Sequence, residues 1–187
     1  MRNGKMINKG DFLISTPESL GDYYFNRSIV ILTEVNQDEI VGFIVNKELD
    51  YTLNDLDNSV LDKEIKIFSG GPVNQDNLYF IHAHPELINN GINFYNKLFW
   101  GGEFKECIKM INENKVINPS VKFFSGYSGW THDQLIDEIK NGSWIIKKNE
   151  TNDMFCDDSK EMWRENMKQM DEKFKIWSNA PEDPQNN

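Results

Sequence analysis

Phe124-Ser125-Gly126-Tyr127-Ser128-Gly129-Trp130-Thr131-His132-Asp133-Gln134-Leu135-Ile136-Asp137-Glu138-Ile139 carries three structural signals in succession. Val121 to Ser125 reads as a strand. Gly126 and Gly129, set among Tyr127 and Trp130, predict an aromatic turn, because glycine permits backbone angles that a side chain forbids. Thr131 with Gln134 three residues on has the pattern of a capping box. Leu135, Ile136 and Ile139 then share one helix face, and Asn141-Gly142 supplies a left-handed stop. The stretch is thus a strand-to-helix junction.

Towards the N-terminus, Asp11 to Ser15 predicts a short strand that Thr16-Pro17 ends. Ser28 to Glu34 and Ile40 to Asn46 are β-branched and apolar, so they predict an antiparallel hairpin across Val35 to Glu39. Leu53, Leu56, Val60 and Leu61 predict a short helix within Leu49 to Asp62, begun near Thr52. Glu64 to Ser69 is a further strand, and Gly70-Gly71-Pro72-Val73 ends it in a tight loop. Asn77 to Ala83 and Ile92 to Trp100 are extended, and Glu103 to Asn114 is a helix closed by Asn118-Pro119.

Towards the C-terminus, Ser143 to Lys148 predicts a strand. Met162, Trp163, Met167, Met170, Phe174 and Trp177 recur every three or four residues, which predicts one long amphipathic helix from Ser159 to Trp177 that docks on the sheet. The fold class is α+β, with a single domain over residues 1–177 and a disordered acidic tail over 178–187.

At 187 residues the chain suits one core, burying roughly 70% of the surface its unfolded form exposes. Apolar runs such as Ile40 to Val45 fall far short of the roughly 20 residues a membrane helix needs. No apolar signal core follows Met1 to Met6, so a cytoplasmic location is expected. A formal charge of −10 repels polyphosphates, which argues against direct nucleic-acid binding. Cys107 and Cys156 form no Cys-x-x-Cys pair, and Cys107 reads as a reduced core thiol.

Candidates for chemistry are sparse. His82 and His84 would share a strand face but lack further ligands at metal spacing, so no metal or cofactor is expected. His132, in the first turn of a helix, reads as a neutral imidazole. Gly70 and Gly71 lack the lysine and hydroxyl of a phosphate loop, although a glycine pair can present backbone N–H groups to an anion. Arg27 enters a core strand, where its guanidinium needs a partner; Asp22 and Glu34 are the carboxylates at hand. Tyr127 and Trp130 read either as packing plugs or as a platform for a flat ligand.

In its ordered motifs the chain resembles the YqgE/AlgH family of small bacterial proteins. The resemblance rests on Lys9 to Pro17, on Asp22 with Phe25 and Arg27-Ser28, and on Glu34. It continues through Gly42-Phe43-Ile44-Val45-Asn46, Gly70-Gly71-Pro72-Val73 and Ile81-His82. It closes with Gly126 to Trp130, Gln134-Leu135, Glu138, Gly142-Ser143-Trp144 and Trp163. Such a resemblance implies a mainly antiparallel, partly barrel-like sheet covered by helices. It also implies the label these proteins carry, that of transcriptional regulators, without a DNA-reading helix to go with it. Two places depart from the family pattern. Thr33-Glu34-Val35 stands where many relatives have Cys-Glu-His, and Thr131-His132-Asp133 where others have small or proline residues.

Two functional expectations follow. One is a non-enzymatic cytoplasmic protein acting indirectly on gene expression, through a protein partner or a small molecule. The other is a small-molecule-binding or hydrolytic protein with a pocket between the Gly70-Gly71-Pro72 loop and the Tyr127 to Trp130 turn, Arg27 and His82 lying nearby.

Overall fold

A computed structural model describes residues 6–19, 21–61, 64–115, 120–149, 153–155 and 158–179. The Asn118-Pro119 stop, Cys156 and the tail from 180 onward lie outside them. Ten strands are present among the described residues: β1 (Phe12–Ser15), β2 (Ile29–Val35), β3 (Ile40–Ile44), β4 (Glu48–Thr52), β5 (Lys66–Ser69), β6 (Val73–His82), β7 (Ile92–Tyr95), β8 (Leu98–Trp100), β9 (Val121–Trp130) and β10 (Trp144–Lys147). Five helices accompany them: α1 (Leu53–Leu56), α2 (Phe104–Asn112), α3 (His132–Lys140), α4 (Ser159–Lys168) and α5 (Glu172–Ser178). The strands run in the order β10-β1-β2-β3-β9-β6-β8-β7, with β4 and β5 branching from β9, in a sheet that curls into a half-barrel. Every pairing is antiparallel except that of β5 with β9.

The α+β expectation holds, and β9 is the element that organises it. Ser128 to Trp130 pair with β3, while Val121 to Tyr127 pair with β6. The segment expected to turn after Ser125 therefore continues as strand. Gly126, at φ +70°, bends it without breaking the ladder, and a Cβ there would lie 2.7 Å from the Gly71 carbonyl oxygen. Thr131 caps α3 as expected by accepting from the Gln134 N–H at 3.2 Å. The Gln134 side chain does not close the box; it donates instead to Glu138 at 2.9 Å.

Period-two alternation sends neighbouring residues of β1 and β2 into different cores. Leu13, Val30 and Leu32 pack with Trp130, Leu135 and Trp144 beneath α3. Phe12, Ile14, Ile29 and Ile31 face the other way, onto Met162, Trp163 and Met167 of α4. A third core joins Ile67, Phe80 and Phe123 to α2 through Cys107, Ile108 and Ile111. Burial pushes the Cys107 thiol up to about 12, which makes it an inert core group.

Three further expectations need correction. The helix placed over Leu49 to Asp62 is a single turn, α1, entered from an unforeseen strand, β4. Its start near Thr52 is right, since the Thr52 N–H donates to Asp55 at 2.7 Å. The stretch Ile92 to Trp100 folds back on itself as β7 and β8 around Asn96, whose φ is +43°. The long C-terminal helix is two helices. Asp171 adopts extended angles (φ −54°, ψ 153°) and restarts the chain as the N-cap of α5.

Candidate functional site

Three segments distant in sequence meet at a cleft of about 430 Å³. The turn before β2 supplies Asn26 and Arg27, the link from β3 to β4 and the first residue of β4 supply Asn46, Lys47 and Glu48, and α4 supplies Lys160, Trp163 and Arg164. Ile40 to Ile44 forms β3 because it is β-branched and apolar, and Asn46 follows as the first polar residue beyond it. Its buried side chain is the keystone of this wall. Asn46 Oδ1 accepts from the Ile29 N–H at 2.7 Å, and its Nδ2 donates to the Arg27 carbonyl at 2.9 Å. Those two bonds hold Arg27 at φ +53°, a left-handed conformation that non-glycine residues rarely adopt.

Arg27 lies over the ring of Trp163, its guanidinium carbon 5.2 Å from the ring centroid. Trp163 is itself fixed, donating its indole N–H to the Ser15 carbonyl at 2.8 Å. The carboxylates expected to meet Arg27 are used elsewhere. Asp22 accepts from the Tyr24 and Phe25 N–H groups, and Glu34 pairs with Lys9 at 2.7 Å.

The lining holds four cationic side chains and one carboxylate. Glu48 is bonded to the Ser159 hydroxyl and, at 3.0 Å, to Lys66. Burial alone would raise its pKa, but Ser159, Lys66 and Lys160 together hold it below the ordinary carboxylate value. Lys47 donates to the Tyr23 carbonyl at 3.4 Å, and Arg164 is forked onto Glu161 at 2.8 and 3.0 Å. In a chain of formal charge −10, this lining carries more cationic than anionic side chains.

The other sequence candidates do not converge on it. Gly70 and Gly71 do meet β9, but in direct backbone contact. A Cβ on Gly70 would sit 2.2 Å from the Gly126 carbonyl oxygen, and one on Gly71 2.4 Å from that of Tyr127. The expected pocket between these segments is filled by the chain itself. The glycine pair instead buttresses the cleft wall, because the Gly70 carbonyl accepts from Ile44 and the Lys47 carbonyl from Ser69. Tyr127 packs edge-on against Tyr79, with ring centroids 5.8 Å apart.

Trp130 is a packing plug: its ring stacks on Phe25 and meets Trp144 edge-on, and both indole N–H groups donate to Glu138, at 3.0 and 2.7 Å. His82 sits opposite Val121, six residues along β9 from Tyr127, or roughly 20 Å of strand. It is fully buried between Phe80 and Phe99, and burial lowers its pKa, with the Gly101 backbone opposing.

One constellation escaped the sequence reading. His84 Nε2 lies 2.6 Å from the Ser120 hydroxyl, and its Nδ1 lies 3.2 Å from Glu86. Thirty-six residues separate His84 from Ser120, so no local motif announces the pair. The Ala83 N–H also donates to the Ser120 carbonyl, which clamps the end of β6 to the start of β9.

Residues 12–175 match a family model described as AlgH-like. A UPF0301 protein of Cytophaga hutchinsonii is 38% identical over 183 residues, covering 97% of this chain and 100% of that protein. A second, from Bacteroides fragilis, is 36% identical over 188 residues, covering 97% of this chain and 92% of its own. A crystal structure of a Corynebacterium diphtheriae protein matches with a TM-score of 0.76 at 18% identity, over 96% of this chain and 95% of that one. The solution structure of the AlgH protein from Pseudomonas aeruginosa matches with a TM-score of 0.70, also at 18% identity, over 97% and 98%. At that identity the two structures speak to the fold alone.

Proposed function

The chain belongs to the AlgH-like family, and from that premise we propose that it is a cytoplasmic, non-enzymatic regulator that acts indirectly, by binding a small molecule in the cleft at Arg27. The observation that carries this reading is the cleft itself: a polar concavity at whose centre Asn46 holds Arg27 in a strained backbone. The absence of charge complementarity to a duplex supports the indirect part, since the whole chain is acidic. No helix among the described residues is long and apolar enough to cross a membrane.

The test is a thermal-shift panel of neutral and charged small molecules on the protein and on Arg27→Gln. Stabilisation of the parent chain that Arg27→Gln loses is the expected result. Duplex binding at physiological salt is measured alongside, and tight, sequence-dependent association sinks the indirect reading.

A second reading, hydrolysis, is favoured by the Glu86, His84 and Ser120 series, which has the order of an orienting carboxylate, a base and a nucleophile. Its test is covalent labelling by a fluorophosphonate probe. Modification at Ser120 that His84→Ala abolishes supports it, and an unlabelled Ser120 removes it.

A further inference from the structure

We infer that the face carrying α1 and α2 is a self-association surface, on which the α1 ridge of each copy of this chain enters an α2 groove on the other. The groove holds about 610 Å³, with Phe104 and Ile108 as its apolar lining and Lys105 and Lys109 beside them. Asp57 and Ser59 line it from the α1 side. The same short helix borders a smaller hollow of about 250 Å³ through Leu56, beside Tyr51 and Leu78, so α1 is a ridge between two concavities. Leu56 and Leu61 are each 58% exposed.

Both parts are held in shape before any partner arrives. Asn112, on α2, accepts from the Leu61 N–H at 3.0 Å and donates to the Ser59 carbonyl at 2.8 Å, so the link after α1 is pinned to the groove wall. The Thr52 N–H and hydroxyl donate to Asp55 at 2.7 and 2.9 Å, which fixes the start of the ridge. A preformed knob and groove lose little conformational freedom on contact.

Charge identifies the occupant. Leu56 stands between Asp55 and Asp57, whose carboxyls accept from Thr52 and Ser59 and meet no cation at ion-pair distance among the described residues. Those hydrogen bonds hold both groups below the ordinary carboxylate value, so both are charged at neutral pH. On the groove, Lys105 follows Phe104 and Lys109 follows Ile108. Glu106 and Glu113 act on Lys109 along its own helix, whereas Lys105 has no ion pair among the described residues. An Asp-Leu-Asp ridge and an apolar groove edged by Lys105 are therefore complementary in both charge and hydropathy. Because ridge and groove lie side by side on one face, a single two-fold axis makes both contacts at once, as an isologous interface requires. A partner of another sequence would fill the groove or clasp the ridge, but a second copy does both. The formal charge of −10 on each copy opposes approach, so the association is weak and reversible.

Sedimentation velocity of the full chain over a rising concentration series tests this, with circular dichroism as the check on folding of each variant. A monomer–dimer equilibrium is expected. Leu56→Lys and Lys105→Glu, both at exposed positions, should each weaken it at least about tenfold, because each places like charges in both contacts. Mixed in equal amounts, the two variants should form a heterodimer at concentrations at which neither self-associates, since one contact is then native and the other has its charges reversed. Ile176→Lys, at an exposed apolar residue of α5, should leave the equilibrium unchanged. A parent chain that stays monomeric throughout overturns the inference. Dimerisation that survives Leu56→Lys, or that Ile176→Lys abolishes, puts the interface elsewhere and overturns it as well. A mixture no more dimeric than its two components overturns the pairing of the α1 ridge with Lys105.

Discussion

Trp130 and Trp163 are both 4% exposed, and both give their indole N–H to a fixed oxygen, on Glu138 in one case and on Ser15 in the other. What covers them differs. Phe25 and Trp144 close over Trp130, and the one carboxylate beneath them takes both indole protons. Over Trp163 lies a guanidinium in a left-handed backbone, beside an open cleft lined by polar and charged side chains. The first site is closed and its polar groups are matched. The second keeps backbone strain in place beside an open cleft, which folding alone does not reward. Burial of an aromatic ring therefore says little about function, and the electrostatics of what lies over it says more.

The largest expected effect bears directly on this contrast. Trp130→Ala and Trp163→Ala should each cost about 3–5 kcal/mol, read by denaturant unfolding. Only Trp163→Ala should also abolish binding at the cleft by the protein that remains folded; equal loss of ligand in both would break the comparison. Glu138→Ala comes next. It leaves two indole N–H groups without their acceptor and should cost about 2–3 kcal/mol in the same assay, with ligand binding intact.

Arg27→Gly is smaller and more telling. Relief of the left-handed backbone offsets part of the lost side-chain contacts, so stability should fall by less than in Trp163→Ala while binding disappears. A large destabilisation would mean that Arg27 is structural, like Trp130.

The last prediction concerns pH. The pKa of His82 is lowered on folding, so between its folded value and 6.5 the unfolded chain binds more protons. Its contribution to stability is complete above 6.5 and is lost as pH falls through the lowered value. Glu48 acts in a separate window, its contribution complete above 4.5 and lost as pH falls through its own lowered value. His82→Gln should flatten the stability profile just below 6.5, and Glu48→Gln only below 4.5. Unfolding free energies measured across both windows check the assignment.

Much of this fold is legible in the sequence, for identifiable reasons. β1, β2, β3 and β10 are compact β-branched runs, and Thr131 and Gly142 bound α3 where their chemistry suggests. β9 was legible only to Ser125, because a Gly-x-x-Gly run bends a strand and makes a turn with the same residues. The break between α4 and α5 was hidden by periodicity, since Met162 and Met167 of α4, Met170 of the link and Phe174 of α5 all reach the same core. The Asp171-Glu172 pair was the available signal.

The site was harder to read. Arg27 stood out as a charge entering a strand, but Asn46 and Lys47 lie about 20 residues away, and Lys160 and Arg164 well over 100. Their convergence depends on the docking of α4, which no local pattern encodes.

The position of β9 in the chain has a consequence for synthesis. β3, β5 and β6 all pair with this one strand, and Trp130 leaves the ribosome about 90 residues after its partner Ile40. At roughly 5–20 residues per second, that is an interval of roughly 5–18 s in which three strands are made and wait with an edge unpaired. β1 waits longer still, since one of its neighbours, β10, follows α3. Slowing translation before Trp130 should therefore lower the soluble yield, and faster passage through residues 70–130 should raise it, with the folded protein unchanged in either case.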